Sequence, residues 1–341
     1  MQDIKELSLD ELKVILKQWN EPVFHSQGIF SWIYKKYVKD FSQMSDLSLG
    51  LRNRLKEKFY LKNIKVAERI KSLDLTEKLL LRLGDGNLVE AVIIPADKRV
   101  TGCVSTQVGC KFACSFCASG LLGFKRNLTC GEILEQVLCL KEASGGRLTH
   151  IVFMGTGEPL DNYENLMRAI RLINSSEGLN IGARRITIST AGFTPGIVRL
   201  AREGMQIELS VSLHAADNKT RSALMPVNKK YPLKDLIRSC REYIQETNRQ
   251  VTFEYVMIKG INVRPEDALN LSRMLKVLNC KINLIPANPV KECNIEPPNK
   301  LEVLFFKDSL LKNGIHVTLR RSRGQDIQAA CGQLRLKYEN K

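Results

Sequence analysis

Three cysteines stand close together in the run Cys110-Lys-Phe-Ala-Cys114-Ser-Phe-Cys117. This spacing supplies three thiolates from one short loop. A cubane cluster offers four irons, so such a loop leaves one iron without a protein ligand and open to a small molecule. Structural zinc asks instead for four ligands in paired arms, and no fourth Cys or His lies at suitable spacing. A second candidate is Glu158, in Met154-Gly-Thr-Gly-Glu158-Pro159. Its carboxylate could pair with an ammonium group, and Gly155 and Gly157 would let a ligand approach. A further cysteine-bearing segment runs Gly324-Gln-Asp-Ile-Gln-Ala-Ala-Cys331-Gly-Gln-Leu334, and Cys103 precedes the triplet by seven residues. Cys130, Cys139, Cys240, Cys280 and Cys293 form no constellation, so buried packing is their default. His25, His150 and His316 sit in no discernible motif.

These groups need a scaffold, and from residue 100 the pattern supplies one. Strand-like runs at Val100–Thr106, His150–Met154, Arg185–Thr190, Ile207–Leu213, Val251–Ile258 and Lys281–Ile285 alternate with helical patterns such as 132–141, 164–173 and 233–247. A helix over 300–312 and a strand over 315–319 follow. Successive βα units predict an α/β fold with a parallel sheet, either open and doubly wound or curled like a TIM barrel. Such sheets carry their chemistry at the C-terminal ends of the strands. The cysteine triplet follows the first strand. Glu158 ends the second, Ser189 the third, Ser212-Leu213-His214 the fourth, and Asn288 follows the sixth. Together they predict a ligand-contacting rim.

Ahead of this domain, residues 1–60 read as a small, basic helical accessory module expected to bind RNA, opened by a capping box at Ser8-Leu-Asp-Glu11. Residues 61–95 read as a β-hairpin connector that turns at Gly84-Asp-Gly86 and stops at Pro95. The main domain then spans 96–330, and 331–341 form a short C-terminal segment. The 341 residues carry a net charge of +16, which favours a polyanion such as RNA. The polar start does not read as a signal peptide, and no apolar run reaches the length of a membrane span. Ten cysteines without a secretion signal argue for metal or catalysis rather than a disulfide scaffold, and for a cytoplasmic protein.

The triplet, with Phe116 before its last cysteine, resembles the signature of the radical S-adenosylmethionine (SAM) superfamily. The resemblance implies a partial TIM-like (β/α)6 barrel and a [4Fe-4S] cluster on Cys110, Cys114 and Cys117. The amino and carboxylate groups of SAM would chelate the free iron. Residues 154–159 resemble the element that binds the SAM amino group, which implies SAM contacts by Gly157, Glu158, Ser189, Ser212, Leu213, His214 and Asn288. With Cys103 and the Ala-Ala-Cys331-Gly-Gln-Leu run, the chain resembles the RlmN/Cfr family of radical SAM RNA methyltransferases. Matching blocks include Gln27–Tyr34, Gly109–Asn127, Leu224–Asn228 and Ala330–Gln333. Gln325 and Gln328 depart from that pattern by replacing acids, and His25-Ser-Gln-Gly28 replaces a more basic block.

The resemblance implies methylation of an adenine at C2 in 23S rRNA and in tRNA, at the adenosine 3′ to the anticodon, with two SAM per turnover. One SAM would methylate Cys331. A 5′-deoxyadenosyl radical from the second would take hydrogen from that methyl group, and the resulting methylene radical would add to the base. Cys103 would then release the product by forming a disulfide with Cys331, and Glu90 would be the proton acceptor. The implied partners are the two RNAs and an electron donor such as flavodoxin or ferredoxin, with no membrane and a monomeric enzyme. A Cfr-like C8 methyltransferase is the nearest alternative. A non-catalytic iron–sulfur RNA-binding regulator is the alternative of another class, and it would have no use for Glu158, Cys103 and Cys331.

Overall fold

A computed structural model describes residues 1–61, 63–121, 123–287, 295–320, 324 and 327. Strand β1 (Gln2–Asp3) pairs in parallel with β2 (Phe59–Tyr60), closing the N-terminal module into a ring. The capping box forms between them: the Ser8 hydroxyl accepts from the Glu11 N–H at 3.2 Å, and the Glu11 carboxylate accepts from the Ser8 N–H at 2.6 Å. It starts α1 (Leu9–Gln18), followed by α2 (His25–Tyr34) and α3 (Leu49–Lys58). Leu12, Leu16, Ile29, Phe30, Leu51 and Leu55 are buried in the same hydrophobic cluster as the main domain's Leu134, Ile151 and Ile170. The module therefore shares a core with the rest of the protein. Lys5 fixes the join: fully buried, it pairs with Asp3 at 2.8 Å and with Glu135 of the main domain at 3.4 Å. Stranding one charge of such a group costs about 3–5 kcal/mol.

The residues expected as a hairpin connector form three strands, β3 (Lys65–Lys71), β4 (Glu77–Arg82) and β5 (Leu88–Ala96). They continue, antiparallel, into β6 (Arg99–Cys103) and so extend the main sheet. Next come two short strands, β7 (Gln107–Gly109) and β8 (Phe124–Asn127), which among the described residues pair only with each other. Then β9 (His150–Phe153), β10 (Ile186–Thr190), β11 (Glu208–Ser212), β12 (Val251–Met257), β13 (Cys280–Pro286) and β14 (Val317–Leu319) run parallel to β6 and to one another. The result is a ten-stranded sheet whose edges, among the described residues, are β3 and β14. Its helices are α4 (Ala118–Leu121), α5 (Cys130–Ala143), α6 (Tyr163–Asn174), α7 (Thr194–Ala201), α8 (Asn218–Leu224), α9 (Leu233–Thr247), α10 (Pro265–Leu275) and α11 (Lys300–Lys312).

Register divides the sheet into two faces, because paired residues point the same way and neighbours alternate. Ile188, Val211, Phe253 and Ile282 lie on one face, buried in the main core. Ser189 pairs with Ser210, and Ser210 with Thr252; Ser212 pairs with Glu254, and Glu254 with Asn283. These polar residues share the other face. Parallel sheets are usually apolar on both faces. A polar second face is therefore the candidate face for ligand contacts. The same row reaches Cys103, which pairs with Val152, and crosses to β5, where Val92 lies opposite Cys103.

Candidate active site

The cysteine triplet occupies the loop that follows β7, and β8 brings the chain back after it. This separate hairpin, which brackets the triplet, is absent from the strand pattern. Gly109 turns at φ +77°, and a Cβ there would lie 1.6 Å from the Gly123 carbonyl oxygen. The Cys110 N–H donates to that carbonyl at 3.2 Å. Ala113 adopts φ +47°, a conformation costly for a residue with a Cβ, and it folds Cys114 back toward Cys110. The loop then hangs from the end of α8: the Leu224 carbonyl accepts from the Ser115 N–H at 2.9 Å and its hydroxyl at 3.3 Å. Phe116 sets its ring edge-on to His214, with centroids 4.8 Å apart.

All three cysteines are half-buried and in no disulfide. Burial pushes the Cys110 thiol up to about 12 and the Cys114 thiol higher still, and the thiols raise one another. Cys110 and Cys114 stay protonated unless a cation displaces the protons, as metal binding does. The donor set fits an iron–sulfur cubane. Among the described residues no three His, Cys, Asp or Glu groups converge on a single metal ion. A cubane does not require that, since each thiolate ligates a different iron.

Glu158 lies at the end of β9, 2% exposed. Its carboxylate accepts from the Ala191 N–H at 2.7 Å and the Leu160 N–H at 3.2 Å, and its own N–H donates to Gln107 at 2.8 Å. Burial raises its carboxyl to about 7 against the lowering effect of those donors. On its Cβ side each of the two glycines packs against this chain. A Cβ on Gly155 would meet the Val104 carbonyl, 2.7 Å away, and one on Gly157 would meet Gln107 at 2.5 Å. They let the strand end pack against residues 104–107.

Ser189 and Ser212 are half-buried on the polar face, and the buried Leu213 donates its N–H to the Glu254 carbonyl at 3.0 Å. His214 is buried at φ +57°. Its Nδ1 accepts from the Val256 N–H at 3.0 Å, and burial, aided by nearby Arg221, lowers it to about 3. It is therefore neutral, with its proton on Nε2. Asn288 and Cys331 lie outside the described residues.

Glu90 stands two residues from Val92, which faces Cys103, so Glu90 and Cys103 are diagonal neighbours on adjacent strands. Such pairs are about 7–8 Å apart. Glu90 is buried and pairs with the equally buried Lys78 at 2.9 Å. The ammonium fixes where the carboxylate sits.

Arg221 was invisible as a site residue in sequence. Fully buried, it donates to the carbonyls of Ala191 at 2.8 Å, Ser212 at 3.1 Å and Leu213 at 3.1 Å, and to the Asn228 side chain at 2.9 Å. It ties the ends of β10 and β11 to α8, from which the cysteine loop hangs. Burial lowers its guanidinium to about 10, and Cys114 opposes that shift. Only the run Asn218–Asn228, dense in polar residues after a strand, hints at such a knot.

Comparison with known proteins matches this geometry to its kin. Residues 104–272 match the radical SAM superfamily, and residues 2–61 match the ribosomal RNA large subunit methyltransferase N-terminal domain. A probable dual-specificity RNA methyltransferase RlmN from Clostridium novyi is 45% identical over 339 residues, 99% of each chain. The chain belongs to the RlmN family of radical SAM RNA methyltransferases. A Thermoanaerobacter RlmN is 44% identical, also over 99% of both chains. The crystal structure of a radical SAM methyltransferase from Sphaerobacter thermophilus superposes with a TM-score of 0.94 at 43% identity, covering 98% of this chain and 99% of that one. The RlmN family brings with it a [4Fe-4S] cluster, SAM and RNA as substrate. No described helix is long and apolar enough to cross a membrane.

Proposed function

We propose that the protein methylates C2 of an adenosine in 23S rRNA and of the adenosine 3′ to the anticodon in tRNA, using two SAM per turnover. The observation that carries the reading is the register that makes Cys103 and Glu90 diagonal neighbours on the polar face of the sheet. When bound on Cys110, Cys114 and Cys117, the cluster supplies the electron that cleaves SAM reductively. Glu158 pairs with the ammonium of SAM, and the rim from Ser189 through Ser212, Leu213 and His214 to Asn288 holds the remainder. Arg221 keeps that rim in register with the cysteine loop.

The other residues act on the RNA. Cys331 carries the methyl carbon, which would give up one hydrogen atom to the radical derived from SAM and bond to C2 of the base. Glu90, held by Lys78, accepts the proton lost from C2, and the one electron left on the adduct would return to the cluster. The Cys103 thiolate attacks the Cys331 sulfur, the carbon–sulfur bond breaks with its electron pair on carbon, and the carbon takes a proton. The Cys103–Cys331 disulfide is then reduced by an external thiol. The reading places the enzyme in the cytoplasm as a monomer served by an acidic electron carrier such as flavodoxin or ferredoxin.

Anaerobic reconstitution with SAM, reductant and total RNA, followed by nucleoside digestion, tests this. The product should co-elute with 2-methyladenosine. Co-elution with 8-methyladenosine would replace this reading with C8 chemistry.

A further inference from the structure

At the end of the sheet opposite the cysteine loop, α2 and the main domain enclose a cavity of about 410 Å³. Its lining includes Lys35 and Tyr37 from the N-terminal module, Lys141 at the end of α5, and Thr149, Asn180 and Arg185 just before β9 and β10. No acid lines it. Neighbouring surface arginines have acidic partners: Arg168 faces Glu11, Arg171 faces Glu203, and Arg199 faces Glu164. Lys35, Lys141 and Arg185 make no ion pair among the described residues, so their charge is uncompensated. Lys141 lies 5.7 Å from the centre of the Tyr37 ring.

The cavity is also built at a cost. Tyr37 and Asn180 hold φ of +56° and +54°. Left-handed backbone is costly for an aromatic residue, and such strain gathers where a site is being shaped. Gly178 completes the wall, because a Cβ there would lie 1.9 Å from the Leu172 carbonyl oxygen. The volume falls in the range of nucleotide-sized pockets. Three cations without an ion pair among the described residues offer contacts to phosphate, the Tyr37 ring beside Lys141 offers aromatic surface, and Thr149 and Asn180 offer hydrogen bonds.

We infer that this cavity holds one nucleotide unit of the RNA substrate, its phosphate on Lys35, Lys141 and Arg185 and its base against Tyr37. The inference rests on the function proposed above and adds to it a second RNA anchor. The residues from Thr149 to Met154 separate cavity and rim by roughly 17 Å at the rise of a strand. The anchor therefore fixes how the RNA lies while its target base enters the rim.

The test is fluorescence anisotropy with a labelled anticodon stem-loop RNA over a salt series, using the intact protein. In the Lys35→Gln/Lys141→Gln/Arg185→Gln variant the slope of log affinity against log salt should fall by about 1, for the one phosphate that loses its cations. A Lys35→Arg/Lys141→Arg/Arg185→Lys variant should keep the wild-type slope, which separates charge from shape. Tyr37→Ala should weaken binding about fivefold or more. Melting curves show that each variant is folded. Calorimetry with AMP forms the other arm. Loss of AMP binding in the neutral triple variant, with RNA affinity and slope unchanged, would assign the cavity to a free nucleotide and overturn the inference. A neutral variant indistinguishable from wild type in both arms would overturn it as well. Wild-type protein that bound no RNA at any salt would overturn both this inference and the proposed function.

Discussion

Replacing Arg221 with Met removes the cation that joins the rim to the cysteine loop while keeping much of its volume. The carbonyls of Ala191, Ser212 and Leu213 and the Asn228 side chain each lose a donor at 2.8–3.1 Å. A stranded buried acceptor costs about 1–3 kcal/mol, and four could cost well over 5. Two effects offset this. Burying the guanidinium is itself unfavourable, and its removal relieves that penalty. Water can also enter to satisfy some of the acceptors. We expect a net loss of about 3–5 kcal/mol, which lowers the melting temperature by roughly 5–10 °C. Arg221→Lys keeps a charge but cannot span acceptors on two strand ends and a helix, so it should fall between Met and wild type. Differential scanning calorimetry of the cluster-free protein reads the stability, and SAM affinity of the reconstituted protein reads the rim. An Arg221→Met protein that melted with wild type and bound SAM equally well would refute the bridging role.

Cys110→Ala, Cys114→Ala and Cys117→Ala should each abolish cluster absorbance together with SAM cleavage, and a variant that kept either would break the ligand assignment. Cys103→Ala should accumulate an RNA–protein crosslink that survives denaturation, with nucleotide mass on the Cys331 peptide after nuclease digestion; normal turnover would rule out the two-cysteine release. Glu158 gives a pH signature. Its folded value of about 7 lies above the ordinary 4.5, so its contribution to stability is complete below about 4.5 and is lost as pH rises through about 7. Melting temperature of the SAM-free protein should fall over that window, and Glu158→Gln should flatten the fall. Because the SAM ammonium favours the carboxylate, SAM affinity should rise over the same window in wild type only.

Much of this was legible in the sequence because it depends on local pattern. The helices at Leu233–Thr247 and Lys300–Lys312 have the bounds their periodicity predicts, and the Ser8–Glu11 box caps its helix as its spacing demands. The cysteine spacing pointed to its chemistry without a fold. What escaped was non-local. The strands β3 to β5 alternate like any hairpin, and nothing in them says that β5 will pair with β6 and extend the sheet. Arg221 looks like a surface cation in a helical run until three strand-end carbonyls surround it. Gly155 and Gly157 read as room for a ligand, and their other use, close packing of the strand end against residues 104–107, appears only in the fold. Cys103 and Glu90 meet only through a register between two strands, which no single-strand pattern contains.

The buried Lys5 also sets an order of events during synthesis. Besides Asp3 beside it, its buried site needs Glu135, 130 residues later in the chain. At about 5–20 residues per second, that partner emerges roughly 7–26 s after Lys5 does. Throughout that interval the first helices exist without the surface they pack on, and Lys5 remains a solvated charge that cannot enter a core. The N-terminal module thus waits for α5 to complete it, although it is made first. Cutting the gene between the two would yield neither half as a folding unit.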